Sequence, residues 1–420
     1  MAGGEIQIMS VGKQDKFLMG KPQITFFKTV YKRHVNFAIE TKTQQFYGGV
    51  DYGKKNECLI SKDGDLISGL SLYIELGSLN ESIQNSTSCS DTEDVVFSWV
   101  NSIGHALIDA VEIQFDGITI DRQYGEWYEI WNELSQPEGK KSGYDRLIGK
   151  KSNAGFSCRS FTGKLELIVP LQFWFCKKYG LSLPILAMID QEIRLKVRWK
   201  KFNQLWITNK FGSKPSISPS FRVTLMIDFV LLDVAEKLNF LSKRHIYTIE
   251  QIQSNGGSMF RKGNVKPNVK LNFYHPVKEL IWVFQRADAL TASESHYGND
   301  WFNFTNALDY IAPDDFFNTG SLLLDRSERF KCMPAIYFRL YHPWKYHTKT
   351  PNNFIYCYSF ALKPEEQQPT GSCNFSSFQN KILELTIEKP IESDYFISVY
   401  GINYNLLIIH DGQAFIAFTH

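Results

Sequence analysis

Apolar and polar residues alternate along much of this chain with a period of two, the mark of a strand with one face on a core and one in water. Between 192 and 200 the odd positions are Ile193, Leu195, Val197 and Trp199, and the even ones are all charged. A longer run places Phe221, Val223, Leu225, Ile227, Phe229 and Leu231 on one face, and Leu383, Leu385 and Ile387 alternate with Glu384, Thr386 and Glu388. Two-residue turn signals punctuate these runs: Asp116-Gly117 between two strands, Asp63-Gly64 before Leu66, and Asp411-Gly412 in the last hairpin. Such strands predict an all-β chain of antiparallel sandwiches or barrels.

Helical spacing is rare. Trp127, Ile130, Trp131 and Leu134 predict one helix, and residues 234–241 a second, directly after the long 221–231 strand. That second helix makes the natural domain junction, near residue 235. Three polar stretches, 78–93, 136–157 and 203–220, read as loops. No repeat of 20 to 50 residues is visible.

Composition narrows the class. At 420 residues the chain exceeds the size at which one core stops growing, so two domains of about 200 residues are expected. Hydrophobic residues make up 43% and aromatics 15%, enough for sizeable cores. With 46 basic against 44 acidic side chains there is no electrostatic footprint for nucleic acid, so no direct genome contact is expected. The seven cysteines are scattered without metal or redox spacing and read as reduced thiols. The beginning MAGGEIQIMS has neither a signal-peptide pattern nor Gly at position 2 for myristoylation, and no apolar run reaches the roughly 18 residues of a membrane span. A soluble, unanchored protein made in a reducing cytoplasm is expected.

Specific strings add what patterning cannot. Residues 20–40 read GKPQITFFKTVYKRHVNFAIE, containing Pro22, Gln23, Ile24, Thr25, Phe26, Phe27, Arg33 and His34. The string resembles the N-terminal signature of the major capsid proteins of nucleocytoplasmic large DNA viruses, usually close to GNPQITFFKxVYRRHTNFAxE, with Lys21 for Asn and Val35 for Thr. Further matches follow the same family along the chain: residues 101–108 with Gly104, 121–134 with Trp127, and VPLQFWF from Val169 with Pro170. In the second half they are Phe273-Tyr274-His275-Pro276, YSFALKP from Tyr358, QPTGSCNFS from Gln368 (with Pro369, Gly371, Asn374 and Phe375), and Asn403 to Leu407.

The resemblance implies two consecutive eight-stranded antiparallel jelly rolls, a double jelly roll, with a few short helices in loops. It divides the chain into an N-terminal arm (1–22), a first roll (23–235) entered by the Phe-rich strand, and a second roll (236–420). It further implies a virion capsid protein that forms homotrimeric, pseudo-hexagonal capsomers tiling an icosahedral shell, assembled in the host cytoplasm at a viral factory. The arm, to about Met19, would run beneath the capsomer. Partners would be the chain itself, neighbouring capsomers, minor capsid and penton proteins and, through minor proteins, an internal membrane. A minor or vertex-associated paralogue is the alternative within the family.

No catalytic residue, cofactor or metal is expected. There is no nucleophile elbow, HExxH or dinucleotide fingerprint. His34, His105, His245 and His275 lack partners at ligand spacing and read as structural. The stretch 143–152, GYDRLIGKKS, fails the phosphate-loop spacing. Of four Asn-x-Ser/Thr sequons, at Asn80, Asn85, Asn303 and Asn374, the first two are candidate glycosylation sites if a virus-encoded route exists. An alternative of a different class is a carbohydrate-binding or hydrolytic sandwich, for which Trp127 and Trp131 beside Glu126, Glu129 and Glu133 would be the platform.

Overall fold

A computed structural model of the chain describes residues 3–79, 97–151, 163–208, 214–215, 217–291, 298–308, 313–388 and 391–419. The alternating runs become strands that bury every second side chain. The first set is β1 (Phe37–Gln45), β2 (Lys55–Leu59), β3 (Leu66–Leu76), β4 (Phe97–Trp99), β5 (Ile108–Phe115), β6 (Ile118–Gln123), β7 (Leu165–Pro170), β8 (Ile193–Trp199), β9 (Trp206–Thr208) and β10 (Phe221–Leu232). They pair antiparallel as β1-β10-β3-β7 and β2-β8-β5-β6, with β4-β9 as a small separate ribbon.

The second set is β11 (His245–Phe260), β12 (Asn268–Lys270), β13 (Pro276–Arg286), β14 (Thr319–Leu324), β15 (Ser327–Pro334), β16 (Tyr356–Ser359), β17 (Cys373–Asn374), β18 (Lys381–Thr386), β19 (Tyr395–His410) and β20 (Gln413–Ile416). It forms β11-β19-β13-β16 and β12-β18-β14-β15, with β17 on β13 and β20 on β19. Numbering the main strands of each set from one to eight gives the order 1-8-3-6 over 2-7-4-5 both times. That is two jelly rolls in succession.

Each roll is filled from its inner faces. In β8 Ile193, Leu195, Val197 and Trp199 are buried, and Trp199 meets Phe46 and Phe221 edge-on at 6.4 and 5.1 Å. The second roll packs Trp282, Phe284, Phe316, Phe317, Phe338, Tyr356 and Tyr395 as one aromatic core. Burying each Phe- or Leu-sized side chain is worth roughly 1.5–3 kcal/mol, so these rings dominate the stability of both rolls.

The turns are met selectively. Asp116 and Gly117 (φ 47° and 83°) join β5 to β6, and Asp411 and Gly412 (φ 49° and 78°) join β19 to β20, both left-handed as a two-residue hairpin requires. Asp63-Gly64 is not a hairpin: β2 and β3 lie in different sheets. Gly64 is needed for closeness instead, since a Cβ there would lie 2.7 Å from Phe229.

Both expected helices form, at Gly125–Ser135 and Val234–Ser242. Asp233 caps the second by accepting from the Glu236 amide at 2.9 Å, and this helix stands between β10 and β11. Residues 136–157, expected as a loop, hold a helix at Glu138–Ile148 that ends on the left-handed Gly149. Only Asp145 and Ile148 in it are buried, so there was no apolar stripe to read. Of the expected loop at 78–93, residues 80 onward lie outside the described residues, and the loop at 203–220 holds β9.

The segment Met1–Asn36 is a compact unit separate from Phe37–His420. It has short helices at Gly3–Met9 and Asp15–Met19, and no strand between 20 and 36. The expected Phe-rich strand is therefore corrected: strand structure begins at Phe37. A strand needs a partner for its N–H and C=O groups, and this segment supplies none within itself. It also builds no core, leaving Ile24, Phe26, Phe27, Val30 and Tyr31 exposed.

Candidate functional site

The two rolls are joined along a seam whose centre is the helix Gly125–Ser135, carried on the connection from β6 to β7. Its apolar spacing predicts one buried face, yet every residue from Trp127 to Leu134 is buried. The helix can be enclosed because each of its carboxylates has a partner. Glu129 accepts from Lys150 at 2.5 Å and lies 2.7 Å from His105 Nδ1. Glu133 accepts from Lys150 and, across the seam, from Lys349 at 3.3 Å. Glu126 accepts from the Tyr400 hydroxyl of the second roll at 2.5 Å.

Burial pushes the Glu129 carboxyl up, but Lys150 and His105 outweigh it and hold it at about 2. Aromatic rings continue the joint: Trp127 stacks on Trp131 (5.5 Å) and meets Tyr400 (5.5 Å), and His347 stands edge-on to Trp131 at 6.3 Å. The proposed sugar platform is thereby excluded, because Trp127 is 1% and Trp131 6% exposed and the carboxylates are already engaged.

A second joint lies beside it. Gln251 donates to the Ile120 carbonyl at 2.5 Å, and the Ile252 amide to Asp121 Oδ1 at 3.0 Å. Burial raises the Asp121 carboxyl to about 6, although Ile252 and Gln123 donate to it. Lys177 reaches Glu250 at 2.8 Å, and Lys278 also donates to that carboxylate. Farther along, Asn299 donates to the carbonyls of Asn203 (2.9 Å) and Trp206 (2.8 Å), Trp301 donates to Gln204 O at 2.7 Å, and the Lys200 ammonium lies 3.3 Å from the Trp301 ring centre. At the far side Gln191 and the Ala414 backbone exchange two hydrogen bonds of 2.9 and 2.8 Å. These contacts can transmit load between rolls; they offer no nucleophile with a base.

One further cluster gathers different chemistry. Glu279, His347 and Cys357 bring a carboxylate, an imidazole and a thiol within 4.8 Å of one another, the only such group able to hold a metal among the described residues.

Two family models cover the chain: one described as major capsid protein N-terminus over residues 25–233, the other as large eukaryotic DNA virus major capsid protein over 236–414. A major capsid protein of Pyramimonas orientalis virus is 32% identical, and one of Phaeocystis pouchetii virus 30% identical, each over all of both chains. The chain belongs to the major capsid protein family of large eukaryotic DNA viruses. A quasi-atomic model of the PBCV-1 virus capsid matches its fold with a TM-score of 0.77 at 25% identity, over 94% of this chain and 100% of that one. This major capsid protein is a structural component of the virion capsid, where capsid proteins assemble with one another.

The residues singled out in the sequence of this capsid protein fall into three places. Pro22, Gln23, Ile24, Thr25, Phe26, Phe27, Arg33 and His34 all lie in the Met1–Asn36 unit. Gly104 and Trp127 are buried in the first roll, where a Cβ on Gly104 would lie 2.9 Å from Val169 and 3.1 Å from the Ile148 carbonyl, and Pro170 ends β7. In the second roll Pro276 opens β13 opposite Asn374, at a strand start where a missing N–H is tolerated. Asn374 accepts from the Ser376 amide at 3.0 Å, and Phe375 is buried between Phe273 and Phe360. Gly371 (φ 140°) would set a Cβ 2.7 Å from the Phe360 carbonyl. Pro369 is exposed nearby.

His105 bridges Glu129 and Tyr144, and His245 lies 2.7 Å from the Phe240 carbonyl. Asn80 and Asn85 lie outside the described residues; Asn303 is buried, with its amide donating to Ala307 O at 2.9 Å. The seam partners Lys150, His347, Lys349 and Tyr400 escape sequence reasoning, since no short spacing links them to Glu126, Glu129 or Glu133. Lys150 alone had a signal, as the first of the paired lysines in the rejected phosphate-loop stretch.

Proposed function

We propose that three copies of this capsid protein associate into a pseudo-hexagonal capsomer and that such capsomers tile the faces of an icosahedral shell. The observation that carries this reading is the repeated 1-8-3-6 over 2-7-4-5 strand order within one chain. Two equivalent rolls per chain give six per trimer, and six similar rolls around a threefold approximate a hexagon. Closure by symmetry then covers sheet edges that a lone chain leaves open. Obligate contacts of this kind bury on the order of 2,000 Å² or more.

The division into an arm, a first roll ending at 235 and a second roll (236–420) is part of the proposal, with the arm taken as 1–36 in place of the expected 1–22 because residues 20–36 hold no strand, and with the arm meeting neighbouring capsomers or minor and penton proteins beneath the shell. Contact with an internal membrane runs through those minor proteins, assembly takes place in the host cytoplasm, and the chain has no enzymatic role. Gly104, Gly371, Pro276 and Phe375 serve as packing points of the rolls.

Light scattering on the chromatographed full chain at micromolar concentration tests the reading. Three chains per particle, with a hexagonal outline in electron micrographs, are expected. A monodisperse monomer overturns it.

A further inference from the structure

We propose that Glu279, His347 and Cys357 form a transition-metal site, suited to Zn²⁺, inside the second roll. The strand register builds two of its three positions. β13 and β16 pair with Glu279 opposite Ser359 and Ile281 opposite Cys357, so Glu279 and Cys357 lie diagonally on one face of the sheet. His347, just past the short helix His342–Tyr346, brings the third donor: its Nε2 lies 2.7 Å from Glu279 Oε1. Donor atoms around one zinc ion, bound at about 2.0–2.3 Å, stand roughly 3.3–3.8 Å apart, so the Nε2–Oε1 pair at 2.7 Å must open slightly while atoms within 4.8 Å of one another close, shifts of about 1 Å or less.

Three features favour a metal over a plain hydrogen-bonded histidine. Glu279 Oε2 is buried and has no hydrogen-bond partner among the described residues, although the residue is fully enclosed. A carboxylate buried with an idle oxygen is costly, and a metal would use it. The other imidazole nitrogen, Nδ1, lies 3.0 Å from Glu365, which is itself held by the Thr348 amide at 2.8 Å and by the Thr348 hydroxyl. A carboxylate behind the ligating histidine is the usual way a metal site fixes its tautomer. Finally, a thiolate, a carboxylate and a neutral imidazole around a divalent ion sum to zero charge, as a site without solvent requires, and the mixed S, N, O set suits zinc. With His347 edge-on to Trp131, the ion would also stiffen the seam.

The full chain, purified without an affinity tag from zinc-supplemented medium, is expected to carry about one zinc per chain by elemental analysis. Exchange for Co²⁺ should produce the near-ultraviolet thiolate-to-cobalt charge-transfer band, and Cys357→Ser should remove it. Chelation should lower the thermal midpoint of the wild type. Less than about a tenth of an ion per chain after incubation with excess Zn²⁺, with no cobalt band, overturns the proposal and leaves His347 as an imidazolium between two carboxylates. Because metal content and cobalt spectrum are read on the wild type, the outcome does not depend on whether the variant folds.

Discussion

The two rolls repeat each other in backbone and complement each other in side chains. Both send an insertion containing helix from the fifth strand to the sixth: residues 124–164 between β6 and β7, and 335–355 between β15 and β16. The first insertion buries Glu126, Glu133 and Trp131, and the second roll supplies Tyr400, Lys349 and His347 to meet them in that order. A plain duplication would have juxtaposed like with like. Because Lys349 and Tyr400 of the second roll complete Glu133 and Glu126 of the first, while Lys177 of the first completes Glu250 of the second, the seam is fully satisfied only with both rolls in place. Such mutual dependence suits the six-roll capsomer proposed above.

The sharpest way to break this asymmetry is at the root of the first insertion. A Cβ on Gly125 would lie 2.1 Å from the His105 carbonyl and 2.3 Å from that of Ile108, both backbone atoms that cannot swing aside. Gly125→Ala is expected to cost more than about 4 kcal/mol and to abolish soluble trimer, checked by chromatography of the expressed chain. Next comes the buried charge. Glu129→Gln leaves Lys150 with Glu133 alone, and the loss expected for breaking such a buried pair is about 3 kcal/mol by urea denaturation. Tyr400→Phe keeps the ring but removes the hydroxyl donated to Glu126, for a loss of about 1–3 kcal/mol by the same measurement.

Acidity separates two carboxylates of the seam by sign. Glu129 is held at about 2, below the ordinary 4.5, so its contribution is present above 4.5 and is lost as pH falls toward 2. Asp121 is raised to about 6 from 3.8, so its contribution is present below 3.8 and is lost as pH rises through 6. Stability measured against pH should therefore lose its acid limb in Glu129→Gln, and lose the decline between 3.8 and 6 in Asp121→Asn. Parallel curves for both variants and the wild type would contradict the assignment.

The rolls were legible because a strand between core and water writes its period into consecutive residues, as 192–200 and 221–231 do. The double jelly roll itself came from matching strings, not from periodicity. The helix Gly125–Ser135 was legible as a helix, but its total enclosure was not, because Lys349 and Tyr400 lie more than 200 residues away. The run from Ile24 to Tyr31 has the composition of a strand, and composition does not supply a pairing partner. The Glu279, His347 and Cys357 group was invisible for a related reason: two members meet only through strand register.

The smallest effect expected has the opposite sign and tests whether the second helix of the first insertion is structural filler. Glu138–Ile148 follows the enclosed helix by only two residues, yet it buries just Asp145 and Ile148. It carries Gly143 in its interior, where glycine costs backbone entropy. A Cβ at Gly143 meets nothing within 4 Å, and its φ is not in the left-handed region. Gly143→Ala should therefore stabilise the chain by about 0.5–1 kcal/mol, mainly by restricting the unfolded state, with trimer formation unchanged. Alanine at 125 and alanine at 143 would then move the urea midpoint in opposite directions only 18 residues apart. If Gly143→Ala instead destabilises the assembled capsomer while stabilising the isolated chain, that helix face is a contact between copies.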